Sequence, residues 1–368
     1  MTSAENVDRI LVVKPADLGD LLFVTPALRA LRQTFPQARI DLLAPPSSAP
    51  LLQGCPYLDE VITFDKYTFD RPLAFLWPGH WRPLVRLALD LRRRRYDALL
   101  IPRHLTTRLG ALKYAVLAWA TGAPLRAGLD NGRGWFLTHR VPDGGFGAFH
   151  EVEYDLQVAA CLGAHTDDVR LWLPTDEEAE AWAERAVTRW PRPIVVMHPG
   201  SGDYSTARRW PPDRFAALAD AWAARHGGTV VLVDASPEVT AAVRQAAHSP
   251  VVDLGGQTTL WQMIALIRRC DLFIGNDSGP LHVAAAANVP TVGIYGPSNH
   301  LAWGPWGQRT AIVKRDLPCM PCFYRGHRLG TPQGCPPRPC LTELPVEQVL
   351  AVAEGLWKSA QEEKAWTR

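Results

Sequence analysis

The chain has 368 residues, which at roughly 150 residues per domain suggests two domains. Hydrophobic residues make up 47% and charged residues 21%, a globular balance that excludes a disordered or fibrous polypeptide. With 39 Lys and Arg against 37 Asp and Glu, the net charge of +2 argues against a bulk nucleic-acid binder. The N-terminus shows no basic stretch leading into an apolar one, and no apolar run is long enough to cross a bilayer. No signal peptide is therefore expected. Seven Cys on such a chain point to a reducing compartment, the cytoplasm, with any membrane association peripheral.

Residues 10–13 are predicted as a strand, followed by the loop Lys14-Pro-Ala-Asp-Leu-Gly-Asp20. Thr25-Pro26 reads as N-cap and N1 of a helix with Leu28, Leu31 and Phe35 on one face. Strands are expected at 39–43 and 60–64. A Pro- and Trp-bearing insertion over 67–95 ends in an amphipathic helix from Pro83, with Leu84, Leu87 and Leu91 on one face. Strand 98–101, an apolar helix over 108–121 stopped at Gly122, and a helix over 153–162 stopped at Gly163 complete the half. Strand, glycine-containing turn, helix, strand is the start of a parallel α/β sheet.

Residues 171–176 read as a connector, and a second series begins after it. Strands are predicted at 194–197, 229–233, 251–254, 272–274 and 291–295. Helices are predicted at 177–190, 213–226, 236–247, 259–268 and 279–287. Two βα-repeating halves imply two doubly wound domains facing a cleft, residues 1–175 and 176–345, with ligands at the carboxyl ends of the strands. The last helix, from Val346, comes too late for the second sheet's core, so residues 346–368 are expected to pack back on the first domain.

Chemistry concentrates in three loops. In Gly275-Asn-Asp-Ser-Gly-Pro-Leu-His282 a strand runs into a helix with Ser278 as N-cap and Pro280 where no N–H is needed. Free amides and the positive helix end make an anion site there, with His282 one turn in as a further donor. The same residues also describe an ordinary capped crossover helix. Asp17-Leu-Gly-Asp20 follows the first strand. Asp20 reads either as the cap of a turn starting at Leu21 or as a general base for an alcohol. Arg208-Arg-Trp-Pro211 offers Arg208 as a clamp on departing negative charge. No Walker loop is present, and no G-x-G-x-x-G follows the first strand. Gly144-Gly-Phe-Gly147 lacks the strand-to-helix context.

The segments at 10–20 and 25–32, with Leu137-Thr-His-Arg-Val141, His150-Glu-Val-Glu153, His198-Pro-Gly200, Arg208–Pro211, Leu254-Gly-Gly-Gln-Thr258, Gly275–His282 and Tyr295-Gly-Pro297, resemble glycosyltransferase family 9. These are the heptosyltransferases of lipopolysaccharide core assembly. The resemblance implies a GT-B fold of two facing Rossmann-like domains with an interdomain cleft, inverting transfer and no catalytic metal. It implies Asp20 as base and Arg208 as the phosphate-binding cation, where known members carry Lys. It also implies Asp277, Ser278, Gly279, His282, Gly200 and Thr258 at the nucleotide-sugar, with Glu238 toward the ribose. Two threonines of known members are replaced by Tyr204 and Asp203.

The expected donor is an ADP-heptose-like nucleotide-sugar, and the expected acceptor a glycolipid at the inner membrane surface. Another nucleotide-sugar, a protein or glycan acceptor, or a non-catalytic nucleotide-binding module stay open as alternatives. Basic residues of the first half, Arg92–Arg95, Arg103, Arg108, Lys113, Arg126 and Arg133, read as a solvated face or as contacts to a phosphorylated acceptor, for which Arg103, Arg126 and Arg133 are the candidates. Trp77 and Trp81 are placed at the same membrane interface. Cys319, Cys322, Cys335 and Cys340 fall within 22 residues and read as a structural Zn or Fe site, as free thiols or as disulfides. Cys55, Cys161 and Cys270 read as core thiols.

Overall fold

The computed structural model describes residues 7–65, 78–202 and 205–366. Two compact units divide the chain, Met1–Pro174 and Thr175–Arg368. The first contains β1 (Arg9–Val13), α1 (Leu18–Phe23), α2 (Thr25–Thr34), β2 (Arg39–Ala44), β3 (Glu60–Thr63) and α3 (Pro78–Arg94). It continues with β4 (Ala98–Ile101), α4 (Arg108–Thr121), β5 (Leu125–Asp130), β6 (His139–Pro142) and α5 (Glu151–Ala160). Its six strands are all parallel, in the order β3-β2-β1-β4-β5-β6. This is the Rossmann winding, and the order reverses between β1 and β4, so the loops leaving these strands flank the switch point.

Period-two alternation in β1 feeds two core layers. Ile10 and Val12 pack with Leu28 and Leu31, whereas Leu11 and Val13 pack with Leu91, Leu99 and Ala115. Strands buried on both faces need helices on both sides, which the long crossovers supply. Several predicted bounds shift by a few residues. Thr25 is the first residue of α2 and Val24 its N-cap, and α3 starts at Pro78 with Pro83 inside it. β5 and β6 lie outside the predicted elements. In β5, Gly128 admits the neighbouring strand, since a Cβ there would lie 2.8 Å from the Ile101 carbonyl oxygen.

The second unit contains α6 (Glu177–Val187), β7 (Ile194–His198), α7 (Pro212–His226), β8 (Thr229–Leu232), α8 (Pro237–Ala246) and β9 (Val251–Asp253). After these come α9 (Leu260–Arg269), β10 (Leu272–Asn276), α10 (Gly279–Ala286), β11 (Thr291–Ile294) and α11 (His300–Trp303). β12 (Thr310–Val313), α12 (Pro339–Thr342) and α13 (Val346–Trp366) close it. Its parallel order is β12-β11-β10-β7-β8-β9, the same winding with β7 in the place of β1. Its switch point therefore lies between β7 and β10.

The terminal helix α13 corrects one expectation. Val346, Val349, Leu350 and Ala353 recur at helical spacing and are all buried in the second unit's core. The helix packs on α7, β11 and β12, with the Trp357 ring 5.4 Å from that of Trp222. A late position in the chain did not keep it from the second core, because it packs on β11 and β12, the last two strands in the chain. Among the described residues no helix is long and apolar enough to cross a membrane. Leu350→Ala is expected to cost about 2–5 kcal/mol, the usual range for such a truncation in a core, read as a lower urea midpoint.

Candidate active site

At the switch point of the first unit, charged side chains crowd the carboxyl end of β1. Lys14, 2% exposed, donates from Nζ to Asp155 Oδ1 at 2.6 Å and to the Pro102 carbonyl at 3.2 Å. Burial opposes its charge, but the carboxylates of Asp155 and Glu151 hold the ammonium above the ordinary lysine value. His104, on the loop leaving β4, lies between two carboxylates. Its Nδ1 is 2.8 Å from Asp143 Oδ1 and its Nε2 is 3.0 Å from Glu151 Oε1. Burial disfavours the imidazolium, yet these two contacts raise its pKa to about 9. Glu151 is correspondingly held below the usual carboxylate range despite burial, by its bond to His104.

Asp20 sits in this field. It is not a cap, because α1 already starts at Leu18 with Asp17 at the N-cap, which puts Asp20 in the first turn. Desolvation raises its pKa to about 6 and Glu151 adds to the rise, while Lys14 and Arg103 pull the other way. A carboxylate with this proton affinity is ionised at neutral pH and still takes a proton readily, as a general base requires. Sequence reasoning missed His104, Asp143 and Asp155, and had Glu151 only within the motif His150-Glu-Val-Glu153, with no role. They are distant in sequence, and the fold brings Glu151 and Asp155 within electrostatic reach of Asp20, with His104 and Asp143 bonded behind Glu151.

The second unit's switch point is organised by Asn276. Its Oδ1 accepts from the Trp210 amide at 3.0 Å, and its Nδ2 donates to the carbonyls of Pro199 and Gly200 at 2.7 and 3.2 Å. One fully buried amide thus ties together the loops after β7 and β10 and the segment carrying Arg208. Ser278 occupies the N-cap of α10 but its side chain does not cap the helix. Its hydroxyl instead lies 3.1 Å from His198 Nδ1 and donates to the Asn276 carbonyl at 3.0 Å. Asp234 Oδ2 holds the opposite nitrogen of His198 at 3.1 Å. A Cβ at position 200 would lie 1.8 Å from Asp234 Oδ2, so any other residue would push the Asp234 carboxyl off His198.

Arg208 Nη1 lies 3.3 Å from Asp277 Oδ2 and its Nη2 donates to the Ser201 carbonyl at 2.6 Å. His282 Nε2 is 3.9 Å from Asp277 Oδ1. Arg208, Asp277, Ser278, Gly279, His282 and Gly200 are thus brought to one loop cluster. A guanidinium and helix-start amides at strand carboxyl ends suit a bound diphosphate.

Other predicted residues stand apart. Glu238 is exposed in the first turn of α8, and Thr258 is half-buried just before the N-cap Thr259 of α9. Arg126 spends its guanidinium on the Phe136 and Ala123 carbonyls, and Arg133 donates to the Leu105 carbonyl and Asn131. Arg103 reaches the Pro15 carbonyl at 3.4 Å, close to Asp20's loop. Asp203, Tyr204, Trp77 and the Trp81 side chain lie outside the described residues.

All seven cysteines are unbridged. Cys319 and Cys335 are exposed, Cys340 is buried with its thiol pushed up to about 11 by burial, and Cys322 Sγ points to the Cys319 carbonyl at 3.4 Å. Among the described residues no group of three or more His, Cys, Asp or Glu is arranged to hold a metal ion. Of the three readings of this cluster, the described structure matches free thiols. Two of the thiols stay at the surface of a Pro- and Gly-rich loop while Cys340 turns into the core with Leu341.

The model of glycosyltransferase family 9 (heptosyltransferase) matches residues 84–332, more than half the chain. This chain belongs to that family. Lipopolysaccharide heptosyltransferase 2 of Escherichia coli K12 is 28% identical over 329 residues, 83% of this chain and 88% of that protein. Two solved structures are each 24% identical. The family 9 glycosyl transferase of Veillonella parvula has a TM-score of 0.74, with 96% of this chain and 97% of that one covered. The Escherichia coli ADP-heptose LPS heptosyltransferase II has a TM-score of 0.69, with 96% and 99% covered. The protein is a glycosyltransferase with a GT-B type fold.

One property of this glycosyltransferase follows from His104. Its folded pKa of about 9 exceeds the unfolded value near 6.5, so its contribution is complete below about pH 6.5 and lost as pH rises through 9. That shift corresponds to about 3 kcal/mol at most. Denaturation free energy should fall between pH 6.5 and 9.5, and the fall should be much smaller in His104→Gln.

Proposed function

We propose that this glycosyltransferase transfers a heptose, with inversion, from ADP-heptose to a lipopolysaccharide-core-type glycolipid at the cytoplasmic surface of the inner membrane. In this reading residues 1–175 bind the acceptor and residues 176–345 the nucleotide-sugar. The kinship with proteins named lipopolysaccharide heptosyltransferase 2, extending over 83% of the chain, supports the choice of sugar and acceptor. The observation that carries the chemistry is the Asp20 carboxyl, raised in proton affinity by burial and Glu151 at the exit of β1.

The acceptor hydroxyl oxygen attacks the anomeric carbon, and its proton passes to Asp20. The bond from that carbon to the β-phosphate oxygen breaks, and the electron pair leaves with ADP. Arg208 and the amides at the start of α10 take up the charge on the departing diphosphate. Asp277, against Arg208 and His282, orients both side chains until the donor's phosphates bind. Proton transfer and charge stabilisation come from side chains and amides, so no metal is required.

Asp20→Asn should lower kcat by roughly 10²–10⁴-fold with the fold intact, as judged by circular dichroism. ADP-heptose binding with no ADP release in the presence of acceptor, the same in wild type and variant, would instead support a nucleotide-binding module. Arg208→Ala should cost roughly 2.7–4 kcal/mol of transition-state stabilisation, and turnover should survive EDTA. Because the base acts ionised, kcat should fall about tenfold per unit below pH 6, and Glu151→Gln should move that limb to lower pH.

A further inference from the structure

Helix α4 is apolar on two faces, and only one is covered. Ala111, Ala115 and Ala118 are buried against the sheet. On the other side Leu109, Leu112, Val116 and Trp119, spaced three and four apart, are between 47% and 63% exposed. Trp135, 53% exposed, extends this stripe, its ring 5.4 Å from that of Trp119. A water-facing helix ordinarily carries polar residues here, so a contiguous apolar stripe marks a contact surface.

Helix α3 packs beside α4 and continues the surface. Its exposed face alternates Arg82, Val85, Arg86, Leu89 and Arg93, which spacing puts on one side of the helix. Charge on the two helices is overwhelmingly positive. Residues 82–95 carry six arginines and one acid, Asp90, which pairs with Arg94, and residues 108–121 carry Arg108 and Lys113 with no acid. Arg140, also exposed, donates to the Trp135 carbonyl at 3.4 Å.

We propose that the α3–α4 face docks this glycosyltransferase on an anionic bilayer surface. Leu109, Leu112, Val116 and Trp119 enter the boundary between headgroups and acyl chains, and the arginines of α3 bind lipid phosphates. Branched aliphatics with neighbouring indoles, ringed by cations, match that boundary chemically. A nucleic acid would meet the arginines but leave the aliphatic stripe in water. A second copy related by a twofold axis would set the arginines of α3 against their own equivalents. The inference deepens the membrane side of the proposed function and rests on that reading for the acceptor only.

Flotation of the full chain with vesicles tests it, using phosphatidylglycerol with phosphatidylethanolamine against phosphatidylcholine alone. The wild-type chain should float with the anionic vesicles at low salt and at least tenfold less with phosphatidylcholine. Leu112→Glu/Val116→Glu and, separately, Arg86→Glu/Arg93→Glu should each lower the bound fraction at least fivefold. Both should keep the wild-type circular dichroism and the wild-type rate on a water-soluble, deacylated acceptor. No flotation of the wild-type chain would overturn the proposal, as would undiminished flotation of the Leu112→Glu/Val116→Glu variant. So would sedimentation showing a dimer that this variant dissolves. Vesicle binding without sugar transfer would instead count against the proposed function and leave the docking surface standing.

Discussion

A lysine almost without solvent exposure cannot stand at the end of a central strand unless something offsets its lost hydration. In this protein the carboxylate of Asp155, 2.6 Å from Lys14 Nζ, does so, and Asp155 reaches that point only because α5 lies against β1's exit. The same helix delivers Glu151 to His104, whose second nitrogen is held by Asp143. The pair and the carboxylate–imidazolium–carboxylate chain thus share one scaffold. Removing one partner of such a set leaves a buried charge uncompensated, which costs far more than the set contributes when intact. Asp20's elevated proton affinity is a by-product of that arrangement, since its carboxyl is partly desolvated within reach of Glu151 while Lys14 and Arg103 limit the rise.

The second unit has the same strand order and a different solution. Its switch point is held mainly by a neutral side chain, Asn276, which bonds three backbone groups of the connection between β7 and α7. Asp234 and His198 position the Ser278 hydroxyl, Asp234 holding one imidazole nitrogen while the other faces Ser278. Arg208 is thereby left as a cation whose carboxylate contact, Asp277, is on the same loop cluster as the helix start. A site meant to receive a diphosphate gains from positive potential and loses from surplus acids, whereas a site that tunes a base needs neighbouring charge of both signs. One winding serves both because the switch point fixes where loops converge and leaves their composition open.

Much of this was legible in the sequence because it depends on local pattern. The β1 run, the Asp20 loop, the helix from Arg108 to Gly122 and the start of α10 each carry their own signal, and the motifs carrying the family resemblance follow in chain order. What escaped was non-local or counter-signalled. β5 holds Arg126 and Gly128, poor strand residues, yet the first is fastened to backbone carbonyls and the second is required by the approach of Ile101. Ser278 has the identity of a capping residue, but His198 competes for its hydroxyl, and His198 is 80 positions away. Nothing near Asp20 in the sequence announces His104 or Glu151.

The α4 stripe shows a different limit. Reading residues 108–121 as an apolar helix was correct, but apolarity alone implies burial on every side, and a single layer of Ala111, Ala115 and Ala118 already satisfies the sheet. The larger residues, Leu109, Leu112, Val116 and Trp119, are the exposed ones, the reverse of what packing inside one unit would select. Placing alanines inward lets α4 lie close to its sheet while the bulky side chains project to where only a partner can desolvate them. Since burying a leucine is favourable by roughly 1.5–3 kcal/mol, that free energy is unrealised in the folded chain alone and becomes available on contact with an apolar phase. The arginines of α3 restrict which apolar phase that is, because they keep their own hydration or exchange it for phosphate, and a bilayer surface supplies both within a few ångströms of depth.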